Sequence, residues 1–212
     1  MKKIKFLTFE LFALLAAVTL DSYSQNNNIT NSLTYDEGVV INGIKWATRN
    51  VDEPGMFTAK LEDAGMFYQW NRKVAWPATG DVTGWNDTHP EGDAWEKAND
   101  PCPAGWRAPT FDEIKTLLDT AKVSSKWTIE NGINGRKFID RTTNNSLFLP
   151  AVGNLNLSNG MLRYAGEHGN YCSSTAHKDV KVRAYSIFFN SNVARQGAYY
   201  RSLGFNVRCV TE

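Results

Sequence analysis

Three cysteines are the first residues of this chain with chemistry to offer: Cys102 between Pro101 and Pro103, Cys172 after Tyr171, and Cys209 after Arg208. A thiolate is a nucleophile and a soft-metal ligand, and a pair of thiols is a cross-link. His168, Cys172 and His177 have the spacing H-x3-C-x4-H. Imidazole and thiolate both hold zinc, but this spacing matches no common zinc pattern and supplies no fourth ligand. The three are read as two surface histidines flanking a half-buried thiol, with no metal site. A Cys172–His177 nucleophile pair lacks an identifiable third group to orient its base. Asp112 and Glu113 are better explained by helix capping, while Glu62/Asp63 and Glu91/Asp93 read as solvated loop charges. No residue pattern argues for catalysis, and the chain is read as a non-enzyme.

Binding chemistry is denser. The stretch from Leu162 to Arg201 carries Tyr164, His168, His177, Tyr185, Arg195, Tyr199, Tyr200 and Arg201 among Asn and Ser. Tyr and Arg give large contact area at modest entropic cost, and aromatic faces stack on the C–H surfaces of sugars. Tyr185, in an apolar strand, reads as packing. The candidate ligand-binding residues are Tyr164, His177, Arg195, Tyr199, Tyr200 and Arg201.

The elements that must position them begin with an export signal. Met1 to Lys5 carries three lysines, Phe6 to Leu20 is mostly apolar, and Ser22-Tyr23-Ser24 is a small-x-small cleavage pattern. Residues 1–24 are therefore predicted to be a secretory signal peptide. The apolar run from Leu11 to Val18 is too short to span a bilayer, so no membrane span is expected after cleavage. The full chain of 212 residues has 23 basic and 22 acidic side chains. Removal of 1–24 takes away Lys2, Lys3, Lys5, Glu10 and Asp21 and leaves it neutral, without the basic excess that a nucleic-acid partner requires. At 42% hydrophobic and 12% aromatic the chain can build a core, and its 16 glycines among many asparagines foretell turns.

Export places the cysteines in an oxidising compartment, where one disulfide and one remaining thiol are expected. Three pairings are possible. Cys102–Cys209 is favoured, because prolines hold Cys102 in an extended setting and Cys209 follows the alternation of Phe205 and Val207. Such a bridge would stabilise by about 4–5 kcal/mol on the chain-entropy model.

Residues 25–38 read as a flexible polar lead-in and residues 39–212 as one domain. Val39 to Val51 predicts strand with a turn at Asn42-Gly43. Residues 71–100 predict an irregular aromatic loop region. Thr110 and Glu113 make a capping box for a helix over about 111–121, along which Phe111, Ile114, Leu117, Leu118 and Ala121 keep helical spacing. Lys137–Asp140, Leu147–Pro150, Tyr185–Phe189 and Phe205–Val210 predict strands, with Asn131-Gly132, Asn134-Gly135 and Asn159-Gly160 as turns between them. The class is α+β, with an antiparallel or mixed sheet and one or two helices.

Four strings in this order, Val40-Ile41-Asn42-Gly43-Ile44-Lys45-Trp46-Ala47-Thr48-Arg49-Asn50-Val51, Asp100-Pro101-Cys102-Pro103-Ala104-Gly105-Trp106-Arg107-Ala108-Pro109-Thr110, Phe148-Leu149-Pro150-Ala151-Val152-Gly153 and Gly204-Phe205-Asn206-Val207-Arg208-Cys209-Val210, resemble the Fibrobacter succinogenes major paralogous domain family. The resemblance runs from about Val39 to Thr211. It implies a C-type-lectin-like fold with small twisted sheets, paired terminal strands and long irregular loops that present a binding face, and it supports the Cys102–Cys209 pairing. It departs from the family at Cys172, where the family usually has Trp. Trp85-Asn86-Asp87 is similar to the calcium triplet of sugar-binding C-type lectins, but it precedes the helix instead of following it. An Asx turn is the better reading, so no cofactor is assigned and calcium is not favoured. The expectation is an exported, periplasmic, cell-surface or secreted binding module that recognises a glycan or protein ligand through loops 154–204, with 76–95 as a further loop region. The competing readings are an enzyme of the formylglycine-generating type and a structural accessory of a surface assembly.

Overall fold

Asn42 and Gly43 both take positive φ, as a tight two-residue hairpin turn demands, and they join β1 (Val39–Ile41) to β2 (Ile44–Trp46) in register Ile41 to Ile44. The structure, a computed structural model, describes residues 32–78 and 82–212, so the predicted signal peptide lies outside the described residues. Asn131 and Gly132 repeat the same turn between β5 (Val123–Glu130) and β6 (Ile133–Asp140). Asn134-Gly135, predicted as another turn, lies inside β6 instead. A Cβ on Gly135 would stand 2.4 Å from the Phe148 ring, so glycine there serves close packing.

Between these hairpins run β3 (Tyr68–Gln69), β4 (Trp106–Arg107) and the helix α1 (Phe111–Leu117). After β6 come β7 (Ser146–Pro150), β8 (Asn154–Leu155), β9 (Leu162–Arg163), β10 (Gly169–Ala176), β11 (Arg183–Phe189), β12 (Ala194–Tyr200), β13 (Gly204–Phe205) and β14 (Val210–Thr211). They form four small antiparallel sheets, ordered β1-β2-β14-β4, β3-β13-β8-β9, β5-β6-β7 and β10-β11-β12. The class is α+β and mainly β. No helix among the described residues is long and apolar enough to cross a membrane.

The capping box forms as read: Thr110 Oγ1 accepts the Glu113 N–H and Glu113 Oε2 accepts the Thr110 N–H at 2.7 Å. Glu113 also takes a bidentate pair from Arg107 at 2.6 and 2.8 Å, tying β4 to the helix start. The helix stops at Leu117, short of the predicted residue 121. The Leu118 N–H turns back to Lys115 O, Asp119 Oδ1 takes the Ala121 N–H, and local turn bonds replace the helical ladder.

Phe205 to Val210, predicted as one strand with one apolar face, is a spine buried on both faces. Phe205, Val207 and Cys209 enter a core with Trp70, Trp95 and Cys172. Asn206 and Arg208 on the other face are also fully buried. Only the ends of this segment are regular strand, because its middle bonds to different partners. Ala47 N donates to Cys209 O, Val51 N to Val207 O, and Cys172 N to Asn206 O. Cys102 and Cys209 form a disulfide with Cα atoms 6.1 Å apart, and β14 pairs with β2 through Val210 and Trp46.

Residues 32–38, read as part of a flexible lead-in, dock on the domain. Phe57 N donates to Leu33 O, and the buried Asp36 carboxylate accepts the Gly38 and Thr48 N–H groups and an ion pair from Arg49 at 3.2 Å. Burial alone would raise the Asp36 pKa, but these bonds outweigh it and hold the carboxyl below its ordinary 3.8. Folding therefore favours the ionised form. That stabilisation is present above 3.8 and is lost as the pH falls through the lower folded value. Asp36→Asn should melt below the wild type at neutral pH, and the deficit should shrink as the pH falls below 3.8. Thermal melts followed by circular dichroism from about pH 7 to pH 2 test this, and a constant deficit contradicts it.

Candidate functional site

Successive side chains on a strand point to opposite faces, so β12 divides the sequence-chosen residues. The register pairs Arg183 with Tyr200, Tyr185 with Ala198, Ala184 with Tyr199 and Phe188 with Arg195. Tyr199 and Arg195 therefore share one face of the β10-β11-β12 sheet, and Tyr200 lies on the other. The six candidates do not form one patch.

On the Arg195 face the side chains form a connected surface cluster. Tyr164 stacks on His168 with ring centroids 4.5 Å apart, and His168 meets Phe188 edge-on at 5.1 Å. The Arg195 guanidinium lies over the Phe188 ring at 4.7 Å and reaches the Tyr199 hydroxyl at 3.4 Å. Tyr164 is 50% exposed, Arg195 is exposed, and His168, Phe188 and Tyr199 are half-buried. Tyr164 also holds φ at +58°, a left-handed conformation uncommon for an aromatic residue, inside a turn where the Glu167 and His168 N–H groups donate to Tyr164 O. Met161 and Leu162, at 61% and 37% exposure, extend apolar surface along the same β8–β9 hairpin. The cluster offers ring faces for stacking beside a guanidinium with donors to spare.

The opposite face is more committed. Tyr200 lies against the His89 ring at 5.6 Å and the Arg183 guanidinium at 5.0 Å. His177 stacks on Tyr185, which stacks on Phe111. The His177 Nδ1 accepts the Asp179 and Val180 N–H groups, so the imidazole caps the β10–β11 turn. Arg201 is buried at 3% exposure. It donates to Pro90 O, Gly92 O and Arg183 O and lies 4.1 Å over the Trp70 ring. Arg201 is therefore a clamp on loop 90–92 and has no free face for a ligand.

Sequence reasoning overlooked Phe188 as a surface residue and left His168, though counted in the Leu162–Arg201 stretch, out of the binding candidates. The adjacent pair Phe188-Phe189 held the signal, since neighbours on a strand cannot both face one core. Phe189 is fully buried and Phe188 is not. The loop reading of 85–88 is met by geometry: Asn86 Oδ1 accepts the Thr88 N–H and hydroxyl as an Asx turn. Trp85 donates from Nε1 to Leu157 O and packs on Trp76 at 5.1 Å, fastening the aromatic loop to the hairpin that carries Tyr164.

His168, Cys172 and His177 do not assemble, and no group of three or more potential metal ligands occurs among the described residues. Comparison of the chain with protein-family models, curated proteins and solved structures finds no match.

Cys172 is 3% exposed in the core beside Ala184 and Phe205, and burial pushes its thiol far above the usual range. A neutral, shielded thiol neither attacks nor binds soft metals readily. Iodoacetamide at neutral pH should therefore leave the folded, oxidised protein unlabelled and add one adduct per chain after denaturation. An adduct on the native protein, seen by mass spectrometry, would refute this placement.

Proposed function

We propose that this chain is an exported, cell-surface or secreted binding module of C-type-lectin-like architecture, which recognises a glycan or protein ligand through the face formed by Tyr164, His168, Phe188, Arg195 and Tyr199. The observation that carries the reading is the surface chain of rings in contact, from the exposed Tyr164 through His168 and Phe188 to the Arg195 guanidinium. A ring set over a sugar face, or over an aliphatic or aromatic side chain, excludes water across a broad area. The adjacent guanidinium supplies directional donors to a hydroxyl, carboxylate or carbonyl. Rings held by one another also lose less freedom on binding than isolated side chains do.

The architecture is supported by the pairing of β14 with β2, the Cys102–Cys209 tie and the amount of chain in irregular loops. Binding is favoured over the thiol chemistry of a formylglycine-generating enzyme because Cys209 is bonded to Cys102 and Cys172 is shielded. A structural accessory of a surface assembly would use the same face for a permanent partner.

The test is capture of glycans by the full chain on an array, with Tyr164→Ala and Arg195→Ala in parallel. Either substitution should weaken capture at least about fivefold, the loss expected of an aromatic or arginine anchor, with Tm within about 2 °C of wild type. Variants that bind like the wild type would remove this face from recognition, and an array blank for every protein would remove glycans as its ligand.

A further inference from the structure

A groove of about 380 Å³ opens where the end of α1, the core-facing side of β5–β6 and the β11–β12 turn meet. Its charged lining is Arg136 and Arg141, and no carboxylate among the described residues lines it. Register explains how Arg136 arrives there. Arg136 pairs with Trp127 and Phe138 with Ser125, so Arg136 shares the core-facing side of β6 with the fully buried Phe138. Arg136 is only 9% exposed, yet neither it nor Arg141 has a carboxylate within ion-pair distance among the described residues.

A guanidinium keeps its charge throughout the physiological pH range, and a buried charge without a counter-ion is costly. Protein acceptors meet part of that cost, and the donors without one open toward the groove and solvent. Arg136 donates from Nε to Ser125 Oγ at 3.0 Å and from Nη1 to Asn190 O at 2.9 Å, while Nη2 has no acceptor among the described residues. Arg141 donates from Nε to Thr120 O at 3.1 Å, and its two Nη groups have none. The remaining donors belong to two forks in one concavity with the polar Asn192 and the apolar Leu118 and Val193. Forked donors of this kind match the paired oxygens of an oxyanion.

We propose that this groove binds a small oxyanion-bearing molecule through Arg136 and Arg141, with a carboxylate, sulfate or phosphate group supplying the counter-charge that the fold lacks. The volume fits an acidic monosaccharide as well as a bare ion, and Leu118 and Val193 would pack against its carbon frame. The groove shares no residue with the face of Tyr164 and Arg195, so this site stands or falls independently of the proposed function.

The experiment follows the guanidinium Nε–Hε resonances of Arg136 and Arg141 in the full chain during titration with sodium sulfate, sodium phosphate and sodium glucuronate. Sodium chloride at matched ionic strength is the control. At least one oxyanion should shift both resonances saturably, with millimolar or tighter affinity. Tighter glucuronate than sulfate or phosphate binding assigns the site to a sugar acid, and the reverse order assigns it to an inorganic or ester anion. Arg136→Lys should weaken binding about tenfold or more by losing the fork. Arg141→Glu, at an exposed position, should do the same with the Tm kept if Arg136→Lys fails to fold. Shifts that never saturate, that chloride reproduces, or that persist at wild-type affinity in Arg141→Glu overturn the proposal.

Discussion

The burial of one permanent charge organises this molecule. Arg208 is 1% exposed, and no carboxylate among the described residues touches its guanidinium. Neutral acceptors solvate it instead. Nε and Nη2 both donate to Asn50 Oδ1, at 3.0 and 2.7 Å, and Nη1 reaches the carbonyls of Ala47 and Thr48. Those carbonyls point inward only if residues 47–50 run close along the C-terminal spine, as the backbone bonds from Ala47 to Cys209 and from Val51 to Val207 require. Asn50 passes the constraint on, donating from Nδ2 to Ala64 O and to the buried Tyr171 hydroxyl, which in turn donates to Pro150 O. Asp36 holds the same loop from outside through Thr48 and Arg49. Removing one acceptor from such a network leaves buried, charged donors unsatisfied, at a cost of about 1–3 kcal/mol or more. The disulfide at the neighbouring Cys209 reinforces the same junction covalently.

Arginine clamps also hold the irregular loops. Arg201 collects two carbonyls of loop 90–92 over the Trp70 ring, and Arg72 bonds Gln69 and Thr88. The irregular region between β3 and β4 is thus held by side chain to carbonyl bonds in place of a strand ladder. Arg195 differs in kind. It leans over Phe188 at the surface and leaves most of its donors to solvent, which sets it, as a candidate for recognition, apart from the arginines that clamp loops.

Much of the local architecture was legible in the chain. The helix start followed from Thr110 and Glu113, the two Asn-Gly hairpin turns from the need for positive φ, and the Cys102–Cys209 bridge from the settings of its two cysteines. Features that depend on distant partners were not. Asn134-Gly135 has turn chemistry, but the ring of Phe148 claims the glycine. Arg208 and Asn206 have the composition of a solvated strand face, and only a third layer formed by residues 47–66 buries them. Among the candidate residues, Tyr164, Arg195 and Tyr199 fall on one face. Tyr200 falls on the other because a strand alternates, His177 caps a turn, and Arg201 is buried by the loop it clamps. The alternation of Tyr199 and Tyr200 and the His177 cap are local, whereas the burial of Arg201 depends on the distant residues 90–92 and Trp70. The C-terminal stretch was correctly seen as dense in Tyr and Arg, but composition alone cannot sort anchors from clamps.

The most direct test of this account is native-state amide hydrogen exchange at the spine. If the burial of Arg208 governs the fold, the amides of Ala47, Val51, Cys172 and Asn206, which bond along or across residues 206–209, should exchange only through global unfolding. Their protection should equal the unfolding free energy measured with denaturant, and the turn amides at Asn192 and Val193 should exchange far faster. Spine amides that open at a fraction of the global free energy, while β5–β6 stays protected, would contradict it and place the organising core in the hairpin sheet instead.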